Sequence, residues 1–553
     1  MSHNGPVDDA DVLVVGAGPT GLALACQLAR FGVRFRIIDK QTDRVRESRA
    51  LAVQARTLEV LQSVGLGEVL ARRGRTTTRL MLHVDRAEPA AIDLGNVGRT
   101  DTRFPYILFV SQADTEGVMN EHLLSSGVTV ERRVELATFS EDRSGLRCVL
   151  LHADGREECI RVSYLAGCDG AHSTVRKAAG ISFEGGAYPQ QFALGDVEAD
   201  GPLVAGAINA FALGRGMAMF FPLGSPSTWR VMAMEGGGPR PSSDDAAEDI
   251  STHALSLPEL QAMVDDPTRG VVRLRDPAWL TRFRLHHRQA VKYSQGRIFL
   301  AGDAAHIHSP VGAQGMNTGI QDAWNLGWKL AMVSRGWANP GILDSYHSER
   351  WPVGRTLLRA TDRLFGTFAK SISGSPFVRF VRRLMVRFVV APALTRPRLR
   401  AIAFHFVSQL GVRYRASAAV TDGAPTLRHG PKPGDRLPDA RVQRDNRATY
   451  LQQELSQACT QLLLCGPIPA WDTPQVKLLV NQFHEHLAVT YLTKEHADGL
   501  LVDVYGEALQ RLGVESTAQY VIRPDGHVGF RCGGADLTAA SNYLHQWFVP
   551  TPR

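Results

Sequence analysis

The stretch VLVVGAGPTGLALACQLARFGVRFRIID, residues 12–39, decides the fold of this chain. Residues 12–15 form a short β-branched run that ends in glycines, which predicts a buried parallel strand. Residues 22–30 have helical spacing, and residues 33–39 predict a second strand. This strand–turn–helix–strand order predicts a βαβ unit of the dinucleotide-binding type.

The motif GAGPTG at residues 16–21 places a glycine at each point where a dinucleotide needs one. Gly16 permits the tight turn, Gly18 lets the backbone approach a pyrophosphate, and Gly21 lets helix and strand pack closely. The helix N-terminus adds free N–H groups for the phosphates. Asp39 ends the second strand 39 − 21 = 18 residues after the last glycine and can accept hydrogen bonds from a ribose. The glycines alone are weak evidence, but strand, helix and terminal acid together predict a nucleotide site.

Composition indicates a globular protein of more than one domain. The chain has 553 residues, of which 44% are hydrophobic and 21% are charged, so it can bury a sizeable core. The net charge of +7 comes largely from basic residues between positions 363 and 415. No aromatic-interleaved basic groove or zinc-finger spacing is present, which argues against nucleic acid as a partner. The basic stretch could bind an anionic membrane, but a solvated helical face is favoured.

Cysteine and histidine usage argues against disulfide and metal chemistry. The seven cysteines form no CxxC pair and the first ten residues are polar and acidic, so we expect a cytoplasmic protein without a signal peptide. His286, His287, His306 and His308 lack the i, i+4 helical spacing of zinc enzymes, so we expect no metal. We expect His306 instead to fix the loop after Asp303.

Two further acids and a glycine-rich segment carry chemistry. Asp169 lies in a Cys-Asp-Gly sequence, which alone would indicate an ordinary turn. A buried strand over residues 297–301 runs into Gly302-Asp303, so the Asp303 carboxylate should lie at the carboxyl end of a strand, where ligands bind in α/β sheets. The segment PVGAQGMN, residues 310–317, enters a helix whose N–H groups could face an electron-rich ring edge.

Three motifs are now in place: the glycine loop at residues 16–21, the Cys-Asp-Gly sequence at Asp169, and Gly302-Asp303 with the glycine-rich segment that follows it. In this order and at these separations they resemble the motifs of the group A flavoprotein monooxygenases, the aromatic hydroxylases, over most of residues 11–350. The resemblance implies that the glycines of residues 16–21 hold the FAD pyrophosphate and that Asp39 binds the adenosine ribose. It also assigns contacts with FAD or NAD(P)H to Arg49 (diphosphate and nicotinamide cofactor), Gln112 (sugar portions of FAD), Asp169 (FAD and NAD(P)H), Asp303 (ribityl chain), Pro310 (reactive face of the flavin) and Gly315, Met316 and Asn317 (pyrimidine edge). The basic residues Lys40, Arg44, Arg46 and Arg49 favour NADPH over NADH or neutralise the FAD phosphates, so the choice of donor stays open.

The resemblance implies an α/β fold with a Rossmann-like FAD-binding domain, an interleaved antiparallel-sheet substrate domain and a C-terminal thioredoxin-like domain. The tail VIRPDGHVGFR, residues 521–531, resembles the end of that last domain in phenol-hydroxylase-type members, but without CxxC a structural or dimer-contact role is favoured. The expected division is FAD-binding domain, first part (1–184), β-sheet substrate domain (185–295), FAD-binding domain, second part (296–350), helical region (351–429) and thioredoxin-like domain (430–553).

The implied activity is that of an FAD-dependent monooxygenase, which uses NAD(P)H and dioxygen to hydroxylate a phenolic or polycyclic aromatic substrate. Reduced FAD would form a C4a-hydroperoxide that attacks a ring carbon ortho or para to a phenolic hydroxyl, while the protein excludes water. The catalytic base is unassigned, and a homodimer is implied at the family level. Three alternatives stay open: Baeyer–Villiger oxygen insertion, a flavin dehydrogenase or oxidase, and a non-catalytic FAD-fold protein that docks a membrane or partner by its basic helices.

Substrate contacts are the least defined part of the sequence. Phe220, Phe221 and Trp229 fall in the predicted sheet and are candidates for the substrate pocket, with a place in the core as the equal alternative. Substrate identity and regiochemistry are not encoded in any motif.

Overall fold

The computed structural model describes residues 9–43, 51–77, 79–83, 89–93, 100–211, 216–223, 227–234, 255–307, 314–373, 384–385, 396–455, 458–471, 473–496 and 498–551. In those ranges, none of the helices combines the length and apolar character that crossing a membrane requires.

The N-terminal third alternates strands and helices. Its elements are β1 (Ala10–Val15), α1 (Pro19–Arg30), β2 (Phe35–Asp39), β3 (Ala52–Val53), α2 (Ala55–Gln62), α3 (Leu66–Arg73), β4 (Arg75–Thr77), β5 (Arg79–His83), β6 (Ala90–Asp93), β7 (Ile107–Phe109), α4 (Gln112–Ser125), β8 (Glu131–Arg132), β9 (Val134–Asp142), β10 (Gly145–His152), β11 (Glu157–Gly167) and α5 (Thr174–Ala178).

The middle of the chain is dominated by strands and then by long helices. Its elements are β12 (Phe183–Asp200), β13 (Ile208–Phe211), β14 (Met217–Pro222), β15 (Trp229–Met234), α6 (Leu257–Thr268), β16 (Arg273–Ala290), β17 (Ser294–Gln295), β18 (Ile298–Leu300), a 3-10 turn (Gly302–Ala304), β19 (His306–Ile307), α7 (Gly315–Ser334), a second 3-10 turn (Pro340–Leu343), α8 (Asp344–Ser373) and α9 (Pro397–Val407).

The C-terminal part forms a third α/β unit. Its elements are β20 (Thr421–Asp422), β21 (Arg441–Arg444), β22 (Arg447–Tyr450), α10 (Leu451–Glu454), β23 (Thr460–Cys465), a 3-10 turn (Ile468–Trp471), α11 (Pro474–Gln482), β24 (Leu487–Thr493), β25 (Leu501–Val502), α12 (Glu507–Arg511), β26 (Ala518–Ile522), β27 (Val528–Gly533) and α13 (Thr538–Trp547).

A parallel sheet in the order β18-β11-β1-β2-β8 forms the centre of the FAD-type domain. The predicted βαβ unit is confirmed, because β1 and β2 pair in parallel and α1 connects them. Helix α7 packs on α1 at close range, since a Cβ at Gly327 would lie 2.7 Å from the Cβ of Gln27. The hairpin of β9 and β10 extends β11 on the outside of this sheet.

The second sheet has the order β19-β16-β12-β15-β14-β13-β5-β6 and is mostly antiparallel, as predicted. Helix α6 covers one of its faces and confirms the helical insert expected near residues 257–264. Strands β5 and β6 join this sheet although they precede the predicted start of the substrate domain at residue 185. They were missed because β5 pairs in parallel with β13, Leu80 opposite Ile208, through a contact that is distant in sequence.

The third sheet, β20-β27-β26-β23-β24-β25-β21-β22, is mixed and builds the thioredoxin-like domain. Strands β23 and β24 are parallel, whereas β26 and β27 form an antiparallel hairpin. The apolar run at residues 461–464 forms strand β23, and the run at 476–480 forms helix α11. The expected boundary at residue 350 lies inside α8, which is one continuous helix over the described part of that region.

Candidate active site

Three carboxylates lie at the carboxyl edge of the parallel sheet. Asp39 is the last residue of β2, Asp169 follows β11 by two residues, and Asp303 follows β18 by three. Because β2, β1, β11 and β18 are parallel neighbours, the ends of all four open on the same side. This edge is where ligands bind in open α/β sheets.

The glycine loop between β1 and α1 has the geometry that the sequence predicts. Gly16 has φ +99°, and a Cβ there would collide with the carbonyl of Cys168. A Cβ on Gly21 would collide with the Gly16 carbonyl, so the helix starts in direct backbone contact with the loop. A Cβ on Gly18, by contrast, would meet no atom of the described residues within 4 Å. Gly18 therefore lines open space at the start of a helix whose first turn has no side-chain cap.

Asp39 holds the glycine loop as well as facing the edge of the sheet. Its Oδ2 accepts a hydrogen bond from the Ala17 N–H at 2.7 Å, and its Oδ1 accepts one from the Gln41 N–H at 2.8 Å. Arg132 on β8 lies 3.6 Å from the same carboxylate. A cleft of about 410 Å³ adjoins Arg132 between α1 and α4, with Leu22, Asn120 and Thr129 among its lining residues.

The Asp169 carboxylate is largely buried and only half satisfied. Its Oδ2 accepts the Val175 N–H at 3.1 Å, whereas no described residue gives Oδ1 a hydrogen-bond partner. Burial raises the pKa of Asp169, and hydrogen bonds from Ser173 and the start of α5 offset part of that rise. A buried oxygen without a donor is costly, which is the condition expected of an atom that waits for a ligand.

Arg176 joins the Asp169 loop to the Asp303 loop. Its guanidinium donates to the carbonyls of Ala171 at 2.8 Å and Ala304 at 3.0 Å, and it lies 3.9 Å from the centre of the Phe183 ring. Burial lowers the pKa of Arg176. The sequence places Arg176 next to the motif, but its bridging role depends on the fold.

Asp303 is the exposed residue of a 3-10 turn in which Gly302 and Ala304 are buried, and Asp322 of α7 fixes the backbone of this turn. Asp322 Oδ2 accepts the Gly302 N–H at 3.1 Å and lies 2.7 Å from His306 Nε2, so His306 fixes this loop as expected. A Cβ at Gly302 or at Gly319 of α7 would collide with the side chain of Thr20. The glycine loop, the Asp303 turn and α7 therefore meet at one point.

The first turn of α7 contains Gly315, Met316 and Asn317 and opens toward the same edge. Asn317 is fully buried, and its side chain is already used: Oδ1 accepts the Gln54 N–H at 2.8 Å and Nδ2 donates to the Ala52 carbonyl at 2.8 Å. The side chain of Asn317 thus fastens the first turn of α7 to the start of α2.

Only some of the remaining predicted cofactor contacts lie within the described residues. Gln112 is the first residue of α4 and donates to Glu116 at 2.9 Å, and Lys40 is exposed directly after β2. Arg49 and Pro310 lie outside the described residues, as does His308. Among the residues with assigned positions, no group of three His, Cys, Asp or Glu side chains converges as metal ligands would.

The two faces of the second sheet differ in chemistry. Phe220 and Trp229 are buried on the α6 side, where they lie in one core cluster with Leu260 and Val264. Side chains alternate along a strand, and Phe221 therefore points to the opposite face. There its ring lies 6.2 Å from that of Phe109 in β7, at the boundary with the FAD-type domain.

The strand register defines which side chains share that opposite face, here called the Met-rich face. Cross-strand partners on β14, β15, β12 and β16 form three rows: Phe221, Arg230, Asp196 and Trp279; Met219, Met232, Leu194 and Thr281; Met217, Met234, Phe192 and Phe283. Met219 and Phe221 pack against the large core cluster that Met316 of α7 also borders.

Polar groups interrupt the Met-rich face at two points. Arg230 and Asp196 form a buried ion pair, with Nη2 and Oδ2 2.6 Å apart. Thr281 is 4% exposed, and its hydroxyl oxygen has no hydrogen-bond partner in the described structure. An apolar, flexible methionine surface with a few fixed polar groups is typical of small-molecule sites.

Sequence reasoning missed Asp322, Arg350 and Thr20. Asp322 belongs to a stripe on α7 with Thr318, Asn325 and Lys329, all at most 1% exposed. A polar stripe at helical spacing normally indicates a solvated face, so this signal would have been interpreted as surface. Its burial becomes evident only from the helices packed against it.

The residues present fit the FAD that this fold implies. The open space at Gly18, the uncapped helix and the unpaired Asp169 Oδ1 together provide a cradle and donors and acceptors for a dinucleotide. Comparison with known proteins agrees with this fit. The family model described as FAD binding domain matches residues 9–361.

Curated relatives and solved structures extend the match to the whole chain. The 6-methylpretetramide 4-monooxygenase of Streptomyces rimosus is 34% identical over 97% of this chain and 94% of its own length. The rifampicin monooxygenase of Streptomyces venezuelae is 38% identical over 68% of this chain and 75% of its own. The OxyS anhydrotetracycline hydroxylase from Streptomyces rimosus aligns with a TM-score of 0.76 and 28% identity, covering 98% and 100% of the two chains. The chain therefore belongs to the FAD-dependent aromatic monooxygenases of the FAD binding domain family.

Proposed function

We propose that this chain hydroxylates a polycyclic aromatic substrate beside a phenolic hydroxyl, with FAD as cofactor and NADPH or NADH as electron donor. The observation that carries the proposal is the Met-rich face. Four strands about 4.8 Å apart make it roughly 14 Å wide, and three rows two residues apart make it roughly 13 Å long. A wall of that size favours several fused rings over a single phenol. Three of the similar proteins are named for 6-methylpretetramide, rifampicin and anhydrotetracycline, and these names support this choice.

Residues at the sheet edge would hold the cofactor. Gly16, Gly18 and Gly21 with the start of α1 would bind the pyrophosphate, and Asp39 would bind the adenosine ribose beside the cleft at Arg132. Asp169 would accept or share a hydrogen bond through its free Oδ1. Bound FAD supplies hydride acceptance and activation of dioxygen, the chemistry that side chains lack.

The Asp303 turn and the first turn of α7 would orient the flavin. Asp303 would bind the ribityl chain, and the N–H groups at Gly315, Met316 and Asn317 would face the pyrimidine edge, where a helix N-terminus stabilises negative charge. Arg49, Gln112 and Pro310 keep their predicted cofactor roles as part of this proposal. Phe221 and its row would hold the substrate ring against this edge and exclude water.

A basic group near Asp169 supports NADPH as the donor. Burial lowers the pKa of His172, and the nearby Lys177, Lys40 and Arg176 lower it further. Cations close enough to influence His172 can also attract the additional phosphate of NADPH. Comparing the KM for NADPH and NADH in Lys40→Ala checks this: the preference for NADPH should fall, and an unchanged ratio would assign Lys40 to another role.

We also expect a cytoplasmic protein and a homodimer. Support for the compartment is that all seven cysteines, each within the described ranges, are free thiols and that NAD(P)H is a cytoplasmic reductant. Light scattering on the purified protein tests the dimer. The rival binding protein without turnover would show no NAD(P)H oxidation with any aromatic substrate.

The deciding experiment follows flavin, donor and product together. The purified protein should show a flavin spectrum and oxidise NADPH faster when polycyclic phenols are added than when simple phenols are added. Product formed under labelled dioxygen should contain one labelled oxygen, which excludes a dehydrogenase or oxidase. Product structure then distinguishes ring hydroxylation from Baeyer–Villiger insertion, since both add one oxygen. Faster turnover of simple phenols would contradict the substrate class.

A further inference from the structure

A turn of the thioredoxin-like domain reaches the centre of the molecule. It connects β26 to β27 and carries Arg523, Asp525 and His527, which are 2%, 4% and 3% exposed. Charged residues at the tip of a hairpin usually face water and are almost never fully buried without partners. Their burial here shows that the turn is inserted into the rest of the chain.

Arg523, Asp525, Glu349 of α8 and Lys329 of α7 form one buried cluster, here called the central ionic cluster. Arg523 donates to both oxygens of Glu349, at 2.7 and 2.8 Å, and lies 2.6 Å from Asp525. Lys329 Nζ lies 2.8 Å from Glu349. Burial raises the pKa of Glu349, but Arg523 and Lys329 outweigh it, so that the net pKa is well below its usual range. The cluster therefore contains two cations and two anions, whose charges balance.

Contacts lead from this cluster to the Asp303 turn. Arg350, the neighbour of Glu349 on α8, donates to Asp322 Oδ1 at 2.6 Å and to the Thr318 carbonyl at 3.1 Å. Asp322 in turn holds the Gly302 N–H and His306. Tyr414 completes the connection, since its hydroxyl accepts from Arg350 at 3.0 Å and its ring lies 4.4 Å from that of His527.

The same turn also holds helix α2. Arg56 donates to the Asp525 carbonyl at 2.6 Å and pairs with Glu59 at 3.0 Å. Helix α2 starts directly after Gln54, whose N–H is bound by Asn317 at the first turn of α7. The thioredoxin-like domain thus contacts both helices that Asn317 joins at the predicted flavin edge.

We propose that Arg523 is a positioning residue for the flavin site, and that the thioredoxin-like domain serves to fix α7 and the Asp303 turn through the central ionic cluster. Buried charges are tolerated only when their geometry is fixed, so they hold α7, α8 and the turn in one register. Removal of Arg523 leaves the carboxylates of Glu349 and Asp525 with one cationic partner fewer and releases α8. Arg350 and Asp322 then lose their fixed relation to Gly302, and the FAD-binding loops lose their shape. The proposal rests on FAD binding by this chain.

The test compares Arg523 with a matched buried arginine of the same domain. Arg531 is 2% exposed and binds Asp422 at 2.8 Å and the His429 carbonyl at 2.9 Å, so its partners lie within residues 420–431, away from α7. FAD affinity is measured by fluorescence titration of the apoprotein of the wild type, Arg523→Met, Arg523→Lys and Arg531→Met. Thermal unfolding of each apoprotein is recorded, with hydrogen–deuterium exchange of peptides that cover residues 300–307 and 315–323.

Arg523→Met should weaken FAD binding by at least about tenfold and raise exchange in both peptides. Arg523→Lys keeps the charge and should recover part of the affinity. Arg531→Met should lower the melting temperature but leave FAD affinity and exchange in those peptides close to wild type. Equal loss of affinity in Arg531→Met, or unchanged affinity in both Arg523 variants, would overturn the proposal. If Arg523→Met does not fold, FAD affinity and hydrogen exchange are compared between Arg523→Lys and Arg531→Lys, and the same outcomes support or overturn the proposal. A wild-type protein that binds no FAD would refute the proposed function instead.

Discussion

The loops at the sheet edge and the central ionic cluster both contact α7 but differ in how their polar groups are paired. At the sheet edge Gly18 faces open space and Asp169 Oδ1 lacks a partner among the described residues. In the cluster, by contrast, Glu349 accepts hydrogen bonds from Arg523, Lys329 and Ser417 and is fully buried.

The difference separates binding from scaffolding. A ligand site must keep donors and acceptors available, which costs stability, whereas a scaffold is strongest when every buried charge is paired. Changes in the cluster should therefore lower stability and, through α7 and the Asp303 turn, FAD affinity as well, whereas loss of a ligand-facing group at the sheet edge should lower FAD affinity alone.

The largest effect is expected for Glu349→Gln. Removing one charge from a buried network should lower the free energy of unfolding by roughly 3–5 kcal/mol, measured by urea denaturation. Glu121→Gln is the control, because the Glu121 side chain is 59% exposed in its pair with Arg73 and should contribute less than about 1 kcal/mol. Similar values for the two variants would remove the distinction between scaffold and surface.

Asp303→Ala should weaken FAD binding and leave the stability of the protein unchanged. Its carboxylate is exposed at the end of β18, so the apoprotein should keep its stability while FAD affinity falls about 10- to 100-fold. Asp200→Ala, an exposed acid paired with Arg275 in the second sheet, should change neither. Unchanged FAD affinity in Asp303→Ala would contradict its assigned role.

Gly16 and Gly18, two positions apart in one loop, should separate an effect on stability from an effect on FAD binding. Gly18→Ala has room for its Cβ and should leave the melting temperature of the apoprotein unchanged but weaken FAD binding. Gly16→Ala places a Cβ against the Cys168 carbonyl at φ +99° and should cost about 1–3 kcal/mol of stability. If Gly18→Ala binds FAD like the wild type, the pyrophosphate does not approach this glycine.

A smaller effect is expected for Thr281→Val on the Met-rich face. The hydroxyl is buried and unpaired among the residues described, so its removal should leave stability equal or slightly higher. KM for an oxygen-bearing polycyclic substrate should rise about two- to fivefold if Thr281 binds one of its oxygens. Thr268→Val is the control, since Thr268 bonds the Val264 carbonyl of α6. A fall in stability without a change in KM would assign Thr281 to the core.

The last prediction concerns pH. His486 stacks on Trp337 after α7, and burial lowers its pKa to about 4. As pH falls below about 6.5, the unfolded chain takes up a proton that the folded protein does not, so stability present above pH 6.5 is lost between pH 6.5 and 4. His486→Phe should unfold with a weaker dependence on pH over this range in thermal melts. An identical pH profile would show that other groups dominate.

Much of the fold and part of the candidate site could be predicted from the chain alone. Gly16, Gly18, Asp39 and Asp303 lie where their local patterns place them, because each depends on a strand and the turn that follows it. That Phe221 and not Phe220 lies on the Met-rich face could not be predicted. It depends on which face α6 covers, and a one-residue difference reverses the direction of a side chain in a strand.

The βαβ unit and each acid that follows a strand could be predicted from the sequence, since each is a pattern within a few tens of residues, and the resemblance to flavin monooxygenases followed from the order of these motifs over residues 11–350. Only the tertiary structure decided that β5 extends the second sheet, that the stripe of Asp322 and Lys329 is buried, and that Arg523 reaches Glu349, 174 positions away. A polar stripe or a hairpin tip has the same local pattern in water and in a core. Its environment is set by the elements that pack against it, which local periodicity does not specify.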